Sequence, residues 1–107
     1  TKLARDIAVA QYEKAIQTAF REVADALASR ATLMEQYRAT LAQVEAAQET
    51  YKLSELRYNN GVSSYLDLLD AQRSLFTVQT AALQLHLAQL QNQVTLYKAL
   101  GGGWTER

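Results

Sequence analysis

The sequence contains no cysteine and no proline, and its four glycines stand only at position 61 and positions 101 to 103. Without cysteine the chain has neither a disulfide framework nor a thiolate site. Proline and glycine are the strongest helix breakers, and long stretches of the chain avoid both. This pattern predicts an all-α fold with one internal break, at Gly61, and one break near the C-terminus.

Charge of one sign is not in excess, since eleven acidic residues balance eleven basic ones. Nucleic-acid binders carry a basic excess, so we expect no nucleic-acid partner. His86 is the only histidine, and no di-iron or zinc-helix motif surrounds it. It is better explained as a neutral polar group at a helix seam. We therefore expect no enzyme activity, no catalytic residue, no metal site and no cofactor.

Apolar residues recur at helical spacing on both sides of Gly61. They predict an antiparallel helical hairpin with helices over about 2–57 and 65–100, joined by a tip turn over 58–64. Ser64 is a suitable N-cap for the second helix, and Asp67 three residues later could complete a capping box. Residues 101–107 form a trailing segment, so residues 1–107 are expected to be a single hairpin.

The second helix carries one strict seven-residue repeat, with a second column beside it. The repeat consists of Leu69, Phe76, Leu83, Leu90 and Tyr97, and the flanking column of Leu68, Leu75, Ala82 and Leu96. A repeat of this length predicts a left-handed, coiled-coil-like seam.

Both helices show apolar or uncharged surface beyond what one hairpin buries. The first helix is longer by about twenty residues, and its projecting part carries a wide apolar arc that includes Ile16 and Phe20. Between Ser74 and Tyr97 there is no charged residue, but glutamines interrupt the run, so we expect no membrane-spanning helix. Either the second helix packs on at least two sides, or it has a solvated, glutamine-rich face.

Asp67 and Asp70 share one face of the first turns of the second helix. Two interpretations are open. Acids at a helix N-terminus stabilise the helix by complementing its dipole. In an oligomeric tube, the same pair would form a ring of carboxylates that narrows and charges the mouth.

Three blocks of sequence resemble the TolC-like outer-membrane efflux channels, especially the branch that serves multidrug pumps. The central block, from Tyr58, reads Tyr-x-x-Gly-Val-x-Ser-Tyr-Leu-Asp-Leu-Leu-Asp-Ala-Gln-Arg-Ser-Leu. Residues 12–27 are similar to the family's long helix, and Leu-Tyr-Lys-Ala-Leu-Gly-Gly-Gly-Trp, from Leu96, is similar to its near-C-terminal ending. The blocks follow the family's order along nearly the whole chain.

This resemblance implies an architecture. In that family three protomers form a tunnel, with a β-barrel in the outer membrane of a Gram-negative bacterium and an α-barrel in the periplasm. The chain resembles the hairpin of the second repeat, and is therefore expected to be a fragment located in the periplasm. Implied partners are the hairpins of a periplasmic adaptor (membrane fusion) protein, an inner-membrane pump reached through the adaptor, and further copies in a trimer.

The resemblance also implies site residues at the tip. By position in the motif, Tyr58, Asp67 and Asp70 match the family's pore constriction. The adaptor-docking surface would be Asn59, Asn60, Gly61, Val62, Ser63 and Ser64. Ser63 stands where a member of the family has an arginine that helps to lock the mouth, which puts such a lock in doubt here.

Two alternatives compete with a channel segment. One is the coiled-coil hairpin of a periplasmic adaptor, although no strand pattern borders this hairpin as it does in adaptors. The other is a plain structural coiled coil, which explains the seven-residue repeats but not the block at the tip.

Overall fold

The computed structural model describes residues 1–101, and these form two helices. α1 spans Lys2–Asn59 and α2 spans Tyr65–Gly101. The predicted all-α hairpin is confirmed, with boundaries within two residues of those predicted. α1 includes Tyr58 and Asn59 because the chain reversal occupies fewer residues than expected. Gly101 is still helical, and the rest of the predicted trailing segment lies outside the described residues.

The described chain divides into two compact units, each made of both helices. The tip unit comprises Leu33–Gln89 and contains the turn. The terminal unit combines Thr1–Thr32 with the part of the chain that begins at Leu90.

In the tip unit, α1 and α2 pack along a seam of buried and half-buried residues. The residues that recur along the seam are Leu33, Tyr37, Thr40, Val44, Ala47, Tyr51 and Ser54 on α1, and Leu68, Ala71, Leu75, Val78, Ala82, Leu85 and Gln89 on α2. Four further residues of α2 are half-buried: Leu69, Thr80, Ala81 and Ala88. The two recurring sets advance by alternating steps of three and four residues, which is the spacing of a coiled-coil seam. Ala71 and Ala82 are fully buried, and their small side chains allow the two backbones to approach closely.

The seam of α2 lies on a different column from the one that the strict repeat indicated. Of the strict repeat, Leu69 is half-buried, but Phe76 is 68% exposed and Leu83 is exposed as well. In the flanking column, Leu75 and Ala82 face α1. The two columns are one residue apart, so both repeat every seven residues. Periodicity alone therefore cannot decide which column faces the partner helix, and the small residues Ala71 and Ala82 favour the close-packed one.

The glutamines of α2 are largely solvated in the described structure. Gln89 is half-buried at the seam, while Gln72, Gln79, Gln84, Gln91 and Gln93 are exposed. These exposed glutamines therefore form a solvated face of α2 and do not lie in a helix seam.

The terminal unit has a thin core centred on Ala26, the one buried residue of α1. The Asn92 side-chain amide donates a 3.0 Å hydrogen bond to the Ala26 carbonyl oxygen. Near its end, α2 still lies beside α1, since Lys98 and Ala99 line one groove together with Ala15 and Ala19. Large apolar side chains of this unit remain exposed, among them Ile16, Phe20 and Leu27.

Candidate functional site: the tip turn and an acidic groove

The turn is closed by a hydrogen-bond pattern that requires Gly61. The N–H of Val62 donates to the Arg57 carbonyl at 2.8 Å, and the N–H of Gly61 donates to the Tyr58 carbonyl at 3.0 Å. These two bonds define a Schellman motif, which ends a helix with one residue in the left-handed conformation. Gly61 is that residue, with φ of 74°. The carbonyl groups of Arg57 and Tyr58, in the last turn of α1, are therefore satisfied within the turn.

The six residues predicted to dock an adaptor lie together at this turn. Asn59 is the last residue of α1, and the other five connect it to α2. Val62 is 65% exposed, and a Cβ atom added at Gly61 would contact nothing within 4 Å. Ser63 is half-buried, and its hydroxyl oxygen is buried without a hydrogen-bond partner. The accessible surface of the turn is thus apolar at Val62 and open above Gly61.

Two tyrosines connect the ends of the helices across the turn. The ring centroids of Tyr58 and Tyr65 are 5.4 Å apart, and the ring planes are inclined by 53°. Such tilted aromatic pairs are favourable because the edge of one ring meets the face of the other. Tyr58, predicted for a pore constriction, is therefore held in place by Tyr65.

Ser64 starts α2 as predicted, and this cap positions Asp67. The N–H of Asp67 donates to the Ser64 hydroxyl oxygen at 3.2 Å. The reciprocal bond of a capping box, from the Ser64 N–H to the Asp67 carboxylate, is not formed among the described residues. The side chain of Asp is one methylene shorter than that of Glu, so the carboxylate projects from the helix instead.

Asp67 and Asp70 line the same groove of the tip unit, about 410 Å³ in volume. Its other lining residues are small or carry hydroxyl groups: Ala46, Ala47, Thr50 and Ser54 from α1, and Ala71 and Ser74 from α2. Tyr58 is not among them. The structure thus brings the two predicted carboxylates together on one surface and places the predicted tyrosine at the turn. The role of all three in a constriction remains a prediction.

The α1 wall of this groove was not identified from the sequence. The four side chains of this wall are small and lie within nine residues of α1, where the helical pattern is carried by the large apolar residues. Because they leave room beside Asp67 and Asp70, water can reach both carboxylates. The groove therefore presents two negative charges and several hydroxyl groups to solvent.

His86 lies at the edge of the tip-unit seam. Its ring centroid is 5.7 Å from that of Tyr37, and the residue is exposed. Within residues 1–101, no group of three or more histidine, aspartate or glutamate side chains could hold a metal ion.

Neither described helix contains a stretch long and apolar enough to cross a membrane.

Comparison with known sequences gives a matching family. The model of the outer membrane efflux protein family matches residues 2–102. The toluene efflux pump outer membrane protein TtgC of Pseudomonas putida is 53% identical over 107 residues, which is all of this chain and 22% of that protein. The cation efflux system protein CusC of Escherichia coli O157:H7 is 45% identical over 98 residues, covering 92% of this chain and 21% of that protein.

Solved structures agree with the sequence comparison. The open state of the Neisseria gonorrhoeae MtrE outer membrane channel is similar with a TM-score of 0.87 at 47% identity, over 95% of this chain and 23% of that chain. A CusC structure is similar with a TM-score of 0.82 at 44% identity, over 89% of this chain and 25% of that chain. The chain spans about a fifth of the length of the relatives it matches, 22% of TtgC and 21% of CusC. These relatives are efflux channel proteins and not enzymes.

Proposed function

Because the chain belongs to the outer membrane efflux protein family, we propose that it is the second-repeat helical hairpin of the periplasmic tunnel of an efflux channel. The predicted TolC-like family and the location, with this segment on the periplasmic side of the outer membrane, are confirmed. The observation that carries the proposal is that both helices, together with their turn, match one segment of solved channels. An adaptor hairpin and a plain structural coiled coil have no such support.

The groove at the tip supports a role in gating. Asp67 and Asp70 lie on one groove close to the turn, where the hairpin ends. When three copies surround an axis, their carboxylates form a ring of like charge, which favours cations and repels itself in a narrow mouth. Widening the mouth separates these charges, and Tyr58 adds bulk at the same end of the hairpin. The channel therefore acts as a passive conduit that opens by repacking of helices.

Single-channel recording on the full-length trimeric channel tests the gate. We expect Asp67→Ala combined with Asp70→Ala to raise the conductance, because the ring of charge is removed. Glu49→Ala with Glu55→Ala is the matched control, since it removes two exposed acids of the tip unit that do not line the groove. Unchanged conductance in the Asp67 and Asp70 variant, or an equal rise in the control, would contradict the assignment.

The exposed turn supports a second role, docking of the adaptor. Val62 offers an apolar contact, and the bare backbone at Gly61 allows another helix hairpin to approach closely. Residues 59–64 are therefore proposed to meet the adaptor hairpins, and through the adaptor the channel joins the inner-membrane pump.

Crosslinking distinguishes docking at the turn from contact elsewhere on the hairpin. A single Val62→Cys change, in a full-length channel whose cysteines outside this segment have been replaced, provides one reactive site, since residues 1–107 contain no cysteine. It suits the purpose better than Ser63, whose hydroxyl oxygen is buried. We expect a crosslinked product with the adaptor from Val62→Cys, and none from Gln43→Cys on the exposed surface of α1. Equal yields from the two sites would argue against docking at the turn.

A further inference from the structure

Two tyrosines enclose the turn that joins α1 to α2. Tyr58 stands directly before Asn59, the last residue of α1, and Tyr65 is the first residue of α2. Both belong to the tip unit, so their relative position is set within one compact unit. The residues between them, 59–64, are those proposed to meet the adaptor. The tyrosine pair therefore lies where the docking turn joins the two helices.

The backbone beside each tyrosine is fixed by short-range hydrogen bonds. The N–H of Gly61 donates to the Tyr58 carbonyl oxygen at 3.0 Å, which holds the last turn of α1. On the other side, the N–H of Asp67 donates to the Ser64 hydroxyl oxygen at 3.2 Å, which holds the first turn of α2, where Tyr65 lies. The main chain thus brings the two tyrosines close together, and the direction of each ring depends on side-chain rotation.

The two side chains meet through their rings and not through their hydroxyl groups. The ring centroids are 5.4 Å apart, with the planes inclined by 53°. Among residues 1–101, neither phenolic hydroxyl takes part in a hydrogen bond. Tyr58 is 39% exposed and Tyr65 is 56% exposed, so neither ring is enclosed by a core that would fix its direction. The contact between the rings therefore restrains Tyr58.

This restraint matters because a tyrosine on a helix has two common directions, with χ1 of about 180° or about −60°. A change from one to the other swings the ring by several ångströms, so the ring of Tyr58 can contact Tyr65 in one of them only. An aromatic pair is favourable enough to raise the population of that direction by a factor on the order of 2 to 10. Without the partner ring, Tyr58 would divide between both directions.

We propose that Tyr65 is a positioning residue for Tyr58, whose ring it holds in the direction that narrows the constriction. This inference rests on the proposed function, in which Tyr58 adds bulk at the mouth of the channel. It adds to the gate a residue that the sequence motif did not assign to the constriction. Tyr65 need not reach the tunnel axis itself, because it acts through Tyr58.

Single-channel recording on the full-length trimeric channel tests the role of the Tyr65 ring. Tyr58→Ala should raise the conductance, and Tyr65→Ala should give at least about half of that rise, because an unpaired Tyr58 divides between two directions. Tyr65→Phe should keep the wild-type conductance, since it keeps the ring and removes only the hydroxyl group. Tyr97→Ala is the matched control, because it makes the same change at an exposed tyrosine of the terminal unit, and it should have no effect.

A double variant separates positioning from a general disturbance of the tip. If Tyr65 acts through Tyr58, Tyr58→Ala with Tyr65→Ala should conduct like Tyr58→Ala alone, whereas independent effects would add. Additive effects, a rise in Tyr65→Phe or Tyr97→Ala equal to that in Tyr65→Ala, or no rise in Tyr65→Ala beside a raised Tyr58→Ala would overturn the inference and leave the gate in place. Unchanged conductance in Tyr58→Ala would remove Tyr58 from the constriction and the positioning role with it, while the variant of Asp67 and Asp70 tests the charged ring separately.

Discussion

The side chain of Asn92 crosses the seam of the terminal unit and donates a 3.0 Å hydrogen bond to the main-chain carbonyl of Ala26. Asn92 is half-buried at a position where an apolar residue would fit the spacing of α2, and Ala26 is buried opposite it. A polar residue at a seam position specifies register, since in any other alignment its amide loses its partner. This bond therefore ties the end of α2 to one level of α1.

Asn92→Ala should lower the free energy of unfolding by about 0.5–1.5 kcal/mol, the usual net value of one intramolecular hydrogen bond. Urea titration followed by circular dichroism measures this at one fixed protein concentration. Gln91→Ala, at the exposed neighbouring position, is the control and should change stability by less than about 0.5 kcal/mol. Indistinguishable losses in the two variants would mean that the bond contributes nothing to stability.

The two described glycines should respond in opposite directions to alanine. Gly61 has φ of 74°, so Gly61→Ala should destabilise the hairpin by about 1–2 kcal/mol even though the space around it is open. Gly101 lies in α2 without a left-handed φ, and Gly101→Ala should be neutral or stabilise by up to about 1 kcal/mol. Thermal unfolding of both variants beside the wild type gives the comparison, and a neutral Gly61→Ala would contradict the left-handed turn.

Replacing an alanine with a larger residue should lower the free energy of unfolding only where the two helices are in contact. Ala82 is 8% exposed on the seam of the tip unit, so Ala82→Leu should cost about 1–3 kcal/mol through overpacking. Ala42→Leu makes the same chemical change at an exposed position of α1 and should stay within about 0.5 kcal/mol of the wild type. Chemical denaturation of both variants measures this difference. An unchanged free energy of unfolding for Ala82→Leu would mean that other residues of α2 face α1.

Much of the local structure follows from nearby residues. The absence of proline and glycine over long stretches predicts two helices, and Gly61 with the preceding asparagines predicts the reversal between them. Ser64 predicts the start of α2, and the hydrogen bond it accepts from the Asp67 N–H confirms that role. These features depend on groups within about five residues of one another, so they can be read along the chain. The sequence also predicts that Asp67 and Asp70 lie on one face of α2, because this depends only on their spacing along the helix.

Contacts between distant residues could not be read in this way. Leu75 and Phe76 are adjacent, both large and apolar, and both belong to columns that repeat every seven residues, yet one faces α1 and the other faces solvent. The α1 wall of the acidic groove, with Thr50 and Ser54, is likewise set by how the two helices pair. The sequence of a helix determines which residues lie on each of its faces. Which face is buried depends on the shape of the other helix and on how closely the two backbones approach. That choice is made only when the two helices come together.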